Sequence, residues 1–209
     1  MSPSLRLTAY IDYKSPFAYL AFDRIRALAL QYTVVVDWQP YILDLQALAG
    51  PPEQRTERAQ RKLRYSYMDA RRQAAARGLI LRSPRKLYDG RLAGMGLLLA
   101  RDRGVQEDYS LSVLKGFWSH QLDLDDLAAL ESILSSLGLA PGTLATFSSA
   151  EGPQRLAAIQ SQADTLGVFG VPTTVLEGEL FWGGDRLDLL ASRLAQRLTN
   201  NLAQARSGQ

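Results

Sequence analysis

The first 40 residues place a strand, a helix and a second strand in immediate succession, and this restricts the fold more than any other feature of the chain. Residues 5–13 alternate, with Leu5, Leu7, Ala9 and Ile11 on one side, as a strand does. Ser15-Pro16 follows, and residues 17–30 are apolar at Tyr19, Leu20, Phe22, Ile25 and Leu28, which is helical spacing. Serine is a favoured helix cap. Proline suits the first helical position because the N–H it lacks has no partner there. Residues 33–38 carry Val34-Val35-Val36 and run into Gln39-Pro40, which reads as a buried strand. A strand, a helix and a strand of these lengths form a βαβ unit, with parallel strands and a right-handed crossover.

The middle of the chain, about residues 41–166, shows almost no strand pattern and reads as a run of helices. Helices are expected over residues 55–77, 92–103, 108–120, 127–137, 141–148 and 154–166. Gly78, Gly104 and Gly138 sit where a left-handed residue closes a helix. After Gly167 the period changes. Residues 171–176 and 179–182 are strands around a Glu177-Gly178 turn, a hairpin, and a last helix is expected over residues 186–198 with Asp185 before it. The tail from Thr199 is polar and expected to fray. The order βαβ, helical block, ββα lets the two ends share one sheet. The fold class is therefore α/β, a thioredoxin-like plan with a large all-helical insertion. Residues 1–40 and 167–209 would form the thioredoxin-like domain and residues 41–166 the insertion.

Composition removes several kinds of chemistry. There are no cysteines, so no disulfide, Cys-zinc site or protein-borne thiol. His120 is the only histidine, which excludes paired-histidine metal motifs; it reads as a surface or satisfied residue, and no metal site is expected. A serine hydrolase is rejected, because there is no Gly-x-Ser-x-Gly elbow and only His120 to serve as base. No apolar run approaches the roughly 20 residues that cross a bilayer. Residues 1–8 lack a basic stretch followed by an apolar one, so a soluble, cytoplasmic protein with no membrane partner is expected. The net charge of +3 is unevenly spread: residues 55–86 hold 11 basic and 2 acidic residues, a net +9, and the remainder 13 basic and 19 acidic, a net −6. Such a block either solvates a helix or attracts anions. It lacks the aromatic interleaving of a single-strand nucleic-acid platform, and nucleic acid is not the expected partner.

Four motifs now support a family comparison. Tyr13-Lys14-Ser15-Pro16-Phe17-Ala18-Tyr19-Leu20 resembles the Ser-Pro-Tyr/Phe start of the 2-hydroxychromene-2-carboxylate isomerases, which kappa-class glutathione transferases share. Trp38-Gln39-Pro40-Tyr41 is similar to the end of their second strand. Gly167-Val168-Phe169-Gly170-Val171-Pro172-Thr173 resembles their cis-proline segment. Glu179-Leu180-Phe181-Trp182-Gly183-Gly184-Asp185-Arg186-Leu187 resembles the hairpin and the start of the last helix. In the middle, Lys62, Tyr65 and Asp69 match a Lys-x-x-Tyr-x-x-x-Asp pattern. The family departs from this chain at Leu48-Ala49-Gly50-Pro51-Pro52, where it often has an Asn that contacts glutathione.

The resemblance implies a DsbA-like fold and glutathione as cofactor. It implies a glutathione-dependent isomerase of an aromatic carboxylate, in which a thiolate adds to a conjugated substrate, the new single bond rotates, and the thiolate leaves. Family members tend to dimerise, so a homodimer is expected. By the same resemblance Ser15 is the catalytic residue, holding the thiolate at a helix start beside Phe17. Val171, ahead of a cis Pro172, pairs with the cysteinyl backbone. Gly184 and Asp185 hold the γ-glutamyl end, and Lys62 meets the glycyl carboxylate. Plainer readings stand beside these: Ser15 as a cap alone, Pro172 as an ordinary trans edge residue, Asp185 as a helix cap and Lys62 as one more surface charge. The rival functions are a kappa-like transferase, a redox-inactive thioredoxin-like binding protein, and a nucleic-acid binder.

Overall fold

The computed structural model describes residues 5–44 and 54–207. The stretch Leu48-Ala49-Gly50-Pro51-Pro52, where the family Asn is missing, lies outside the described residues.

The expected βαβ unit opens the chain. Strand β1 (Arg6–Ile11) and strand β2 (Val35–Pro40) are parallel, with Arg6 opposite Val35 and Ile11 opposite Pro40. Helix α1 (Pro16–Tyr32) crosses between them. Strand β3 (Thr173–Leu176) returns antiparallel to β1, with Leu7 opposite Leu176, and β4 (Glu179–Trp182) pairs with β3. The sheet order is β2-β1-β3-β4, so the two ends of the sequence do share one sheet. Glu177 and Gly178 both have positive φ, 50° and 87°, as a two-residue hairpin turn requires to match the strand twist.

Between β2 and β3 come α2 (Glu57–Ala75), α3 (Arg91–Asp102), α4 (Gln106–Trp118), α5 (Leu127–Ser136), α6 (Thr143–Ser149) and α7 (Gly152–Thr165). Helix α3 seats against the end of β2. A Cβ at Gly94 would come within 3.2 Å of Pro40 Cβ and 3.0 Å of Ile42 Cδ1, a tight fit that shows how closely the helix approaches the strand end. Stacked rings of Tyr19 and Trp118, 6.1 Å apart and 6° from parallel, tie α1 to α4. Phe22 packs on Trp38 at 4.3 Å, tying α1 to β2. After β4, a 3-10 turn (Gly184–Arg186) leads into α8 (Leu187–Ser207).

Two expectations are corrected. The valine run is not uniformly buried: Val34 and Val36 are buried but Val35 is 47% exposed, because β2 is an edge strand with its two sides in different surroundings. The last helix runs past its expected end at Leu198. The helix continues to Ser207, and no Gly or Pro interrupts residues 187–207.

Candidate active site

The site begins in the turn that joins β1 to α1. The Ser15 N–H bonds to the Asp12 carbonyl at 3.0 Å, and the Lys14 N–H bonds to Asp12 Oδ1 at 3.2 Å. Asp12 Oδ2 accepts the Leu43 N–H at 2.8 Å and pairs with Lys14 Nζ at 2.7 Å. Lys14 Nζ also donates to the Asp89 carbonyl at 2.9 Å. Both side chains are buried. Burial pushes the Asp12 carboxyl up from its ordinary value, and the adjacent Lys14 ammonium pulls against that rise. This ion pair ties the residues after β2 and those before α3 to the turn that presents Ser15. Neither Asp12 nor Lys14 was singled out by the sequence reading.

Ser15 caps α1 from an extended backbone, φ −87° and ψ 117°. Its Oγ accepts the Ala18 N–H at 3.2 Å, and its own O–H points to the Val171 carbonyl at 3.5 Å, the outer limit of a hydrogen bond. Capping and donating draw on the same hydroxyl but need not compete for it. They do not, because the cap uses a lone pair and leaves the proton on a distant acceptor. Pro16 has no N–H, and among the described residues the Phe17 N–H has no backbone or side-chain partner.

The Val171–Pro172 bond is cis, as the sequence reading held. The bend is secured from both sides. Thr173 Oγ1 donates to Gly170 O at 2.7 Å, the Gly183 N–H bonds to Pro172 O at 2.8 Å, and the Tyr41 hydroxyl lies 3.2 Å from Val168 O and 3.0 Å from Asp164 Oδ1. Among the described residues no group pairs with the Val171 N–H.

A groove of about 540 Å³ runs from this bend along α1. One wall is the α1 stripe of Phe17, Leu20, Ala21 and Arg24; the opposite wall is Asp69 and Gln73 of α2 with Arg77 in the turn just past its end. Val171, Pro172, Trp182 and the residues of the 3-10 turn complete it. The spacings i, i+3, i+4, i+7 on α1 and i, i+4 on α2 put the helical residues of each wall on one helix face. Arg77 Nη1 donates to the Leu20 carbonyl at 2.7 Å, closing α2 onto α1, and Gln73 Nε2 holds Asp69 Oδ2 at 2.8 Å. Trp182 packs against Phe169 at 4.7 Å, and both rings are more than half exposed.

Of the residues expected in the site, Phe17, Val171, Pro172, Gly184 and Asp185 line this one groove, and Ser15 abuts it through Val171. Lys62 does not line it. Lys62 is exposed on the same stripe of α2 as Asp69, seven residues earlier, or about 10 Å farther along the helix axis. Asp185 is no conventional cap: its carboxylate pairs with Arg186 at 3.3 Å and lies against Gly183, whose φ of +98° demands glycine. Arg24, Arg77 and Trp182 were missed. Arg24 stands on the α1 stripe that faces the groove, and Arg77 follows just past the end of α2, one further step of four from Asp69 and Gln73. His120 has φ 66° and bonds through Nε2 to the Ser83 carbonyl at 2.8 Å, away from this groove. Among the described residues no cluster of three or more His, Asp or Glu is arranged for a metal, and no helix is long and apolar enough to cross a membrane.

Residues 6–195 match the family model of the DsbA-like thioredoxin domain. The chain belongs to the DsbA-like thioredoxin family. Within that family it is 30% identical over 199 residues to 2-hydroxychromene-2-carboxylate isomerase of Pseudomonas putida, spanning 92% of this chain and 95% of the relative. It is 29% identical over 189 residues to the enzyme of that name from Sphingobium xenophagum, 88% of this chain and 95% of the relative. Among solved structures, a 2-hydroxychromene-2-carboxylate isomerase superposes with a TM-score of 0.81 at 26% identity, over 96% of this chain and 99% of that one. The cytosolic disulfide reductase DsbM of Pseudomonas aeruginosa, solved with GSH, shares the fold at a TM-score of 0.61 and 18% identity, over 93% of this chain and 100% of that one.

Proposed function

We propose that this protein is a glutathione-dependent isomerase of an aromatic carboxylate. The observation that carries the reading is the Ser15 hydroxyl. It caps α1 with a lone pair and leaves its proton on a carbonyl 3.5 Å away, at the end of a groove that the cis Pro172 bend closes. A proton held that loosely, next to an unpartnered Phe17 N–H, suits an anion better than the carbonyl it now faces. Relatives that share most of this chain's length carry the name of an isomerase whose substrate is an aromatic carboxylate.

The residues fit glutathione. Val171 offers an unpaired N–H to the cysteinyl backbone, as an added strand would use it. Gly184 and Asp185 stand farther along the groove for the γ-glutamyl end. When bound, glutathione supplies a sulfur nucleophile that adds reversibly to a conjugated double bond, so that the bond can rotate before the sulfur departs. The chain's own part is to ionise that sulfur and hold both partners. A hydroxyl hydrogen bond to a charged acceptor contributes about 1.5–3 kcal/mol. The start of α1 adds roughly 0.3–1 kcal/mol. At 1.36 kcal/mol per pKa unit, the two lower a thiol from about 8.5 by about one to three. Trp182, backed by Phe169, offers the substrate ring an open aromatic surface at the groove wall.

Thiolate absorbance during a glutathione titration at a series of pH values tests this directly. The bound thiol of the wild type should ionise below its free value, and Ser15→Ala should raise that pKa by about one or more. An unchanged value removes Ser15 from its role. With an unsaturated aromatic acid as substrate, total thiol should stay constant through turnover; thiol loss in step with substrate makes the protein a kappa-like transferase instead.

A further inference from the structure

Phe17, Leu20, Ala21 and Arg24 form one stripe of α1, running from the Ser15 cap to more than two turns into the helix. At a rise of about 1.5 Å per residue, Arg24 lies about 13 Å along the axis from Ser15. Helical side chains lean toward the N-terminus, so the guanidinium reaches back along the groove. It is not free to swing. Nη1 donates to the Gly184 carbonyl at 2.7 Å, which fixes it where the 3-10 turn meets α1. Nη2 holds a carboxylate, that of Asp188, at 3.1 Å. The Asp188 side chain is 92% exposed and the Arg24 side chain 37% exposed, so solvent screens the pair and the bond is weak. Asp185, one residue past Gly184, presents a carboxylate to the same groove. A fixed guanidinium beside a carboxylate matches the carboxylate and ammonium of a free amino-acid end.

We infer that Arg24 is a carboxylate receptor that the protein's own Asp188 occupies until a thiol peptide displaces it. This rests on the glutathione reading above. Extended, the sulfur and the γ-glutamyl carboxylate of glutathione stand on the order of 10 Å apart, a span that fits between Ser15 and a back-leaning Arg24. Arg24 uses one edge for Gly184 and turns the other to whichever carboxylate wins. Asp188 is then an internal competitor. It keeps the guanidinium aligned in the free protein, and its exposure makes it easy to replace.

The test compares glutathione with the dipeptide Cys-Gly, which has the same thiol and glycine but no γ-glutamyl carboxylate. Calorimetric titration of the full chain should show Arg24→Gln binding glutathione at least about tenfold more weakly, with Cys-Gly unaffected. Asp188→Asn should bind glutathione about two- to fivefold more tightly, again with Cys-Gly unaffected. If Arg24→Gln weakens both peptides equally, Arg24 shapes the groove without reading a carboxylate and the inference is wrong. If the wild type binds glutathione and Arg24→Gln matches it, this inference alone falls. If Arg24→Gln weakens glutathione selectively but Asp188→Asn tightens nothing, displacement of Asp188 is refuted. A wild type that binds neither peptide overturns the glutathione reading and this inference together.

Discussion

Two charged regions of this molecule behave in opposite ways. Residues 55–86 hold 11 of the 24 basic residues, yet α2, which carries much of that block, buries only Ala70 and Ala74. The turn between β1 and α1 holds one acid and one base, Asp12 and Lys14, and both are almost fully buried. The abundant charges are mainly solvated. The sparse pair sits immediately before the candidate catalytic serine and joins three parts of the chain through Leu43, Asp89 and its own turn. Charge density in a sequence therefore points to where solvent is, and a single charge at the end of a hydrophobic strand points to where structure is decided.

The largest effect that separates the two regions is on stability. Asp12→Asn keeps an oxygen for the turn but leaves the Lys14 ammonium buried without its counter-charge, and should cost about 3–5 kcal/mol in denaturant unfolding. Adding Lys14→Met should recover most of that loss, since an uncharged side chain of similar length needs no partner. A single-variant cost below about 1 kcal/mol would make the buried pair no different from a surface one. Within the basic region, Arg77 and Lys62 should part company. Arg77 reaches the groove and Lys62 does not, so Arg77→Gln should weaken glutathione binding several-fold and Lys62→Gln should change it less than twofold by the same calorimetry. The reverse order would restore Lys62 to the site and put α2 closer to the ligand than its present position. The smallest effect belongs to an exposed pair. The Arg155 hydrogen bond beside Asp102 holds that carboxyl below its ordinary value. The unfolded chain therefore takes up this proton first, and the contribution, present above about pH 4, fades as pH falls further. Both side chains are a third or more exposed, so Asp102→Asn should flatten the acid limb of the stability curve by under about 1 kcal/mol.

Much of this architecture could be read from the chain. Gly78, Gly104 and Gly138 each adopt positive φ just past a helix, and Glu177-Gly178 turns the hairpin as the pattern required. Ser15 before Pro16 was legible as a cap, and the Gly-Val-Pro segment as the cis bend. The buried ion pair was not legible, for a physical reason. A period-two reading of β1 assumes one wet face, but Tyr10 is buried along with Ala9 and Ile11, so both sides of this strand are covered near its end. Asp12, on the side that the alternation leaves to water, is then enclosed as well. Lys62 came from a linear motif, which records spacing along a helix but not how far that helix extends past its neighbour; of that motif, Asp69 lines the groove and Lys62 does not. Arg24 and Arg77 escaped notice because a cation partway along a helix or just past its end looks like any other surface charge until the opposite wall is known.

Helix α1 has no acidic residue in its first turn and no basic residue in its last. No acidic side chain of the helix's own first turn answers its electropositive end. The selectivity of the cleft then depends on the bath as well as on the protein. Iodide, thiocyanate and other soft, poorly hydrated ions should act as competitors in any assay, and measured affinities will track the identity of the buffer salt as much as its concentration.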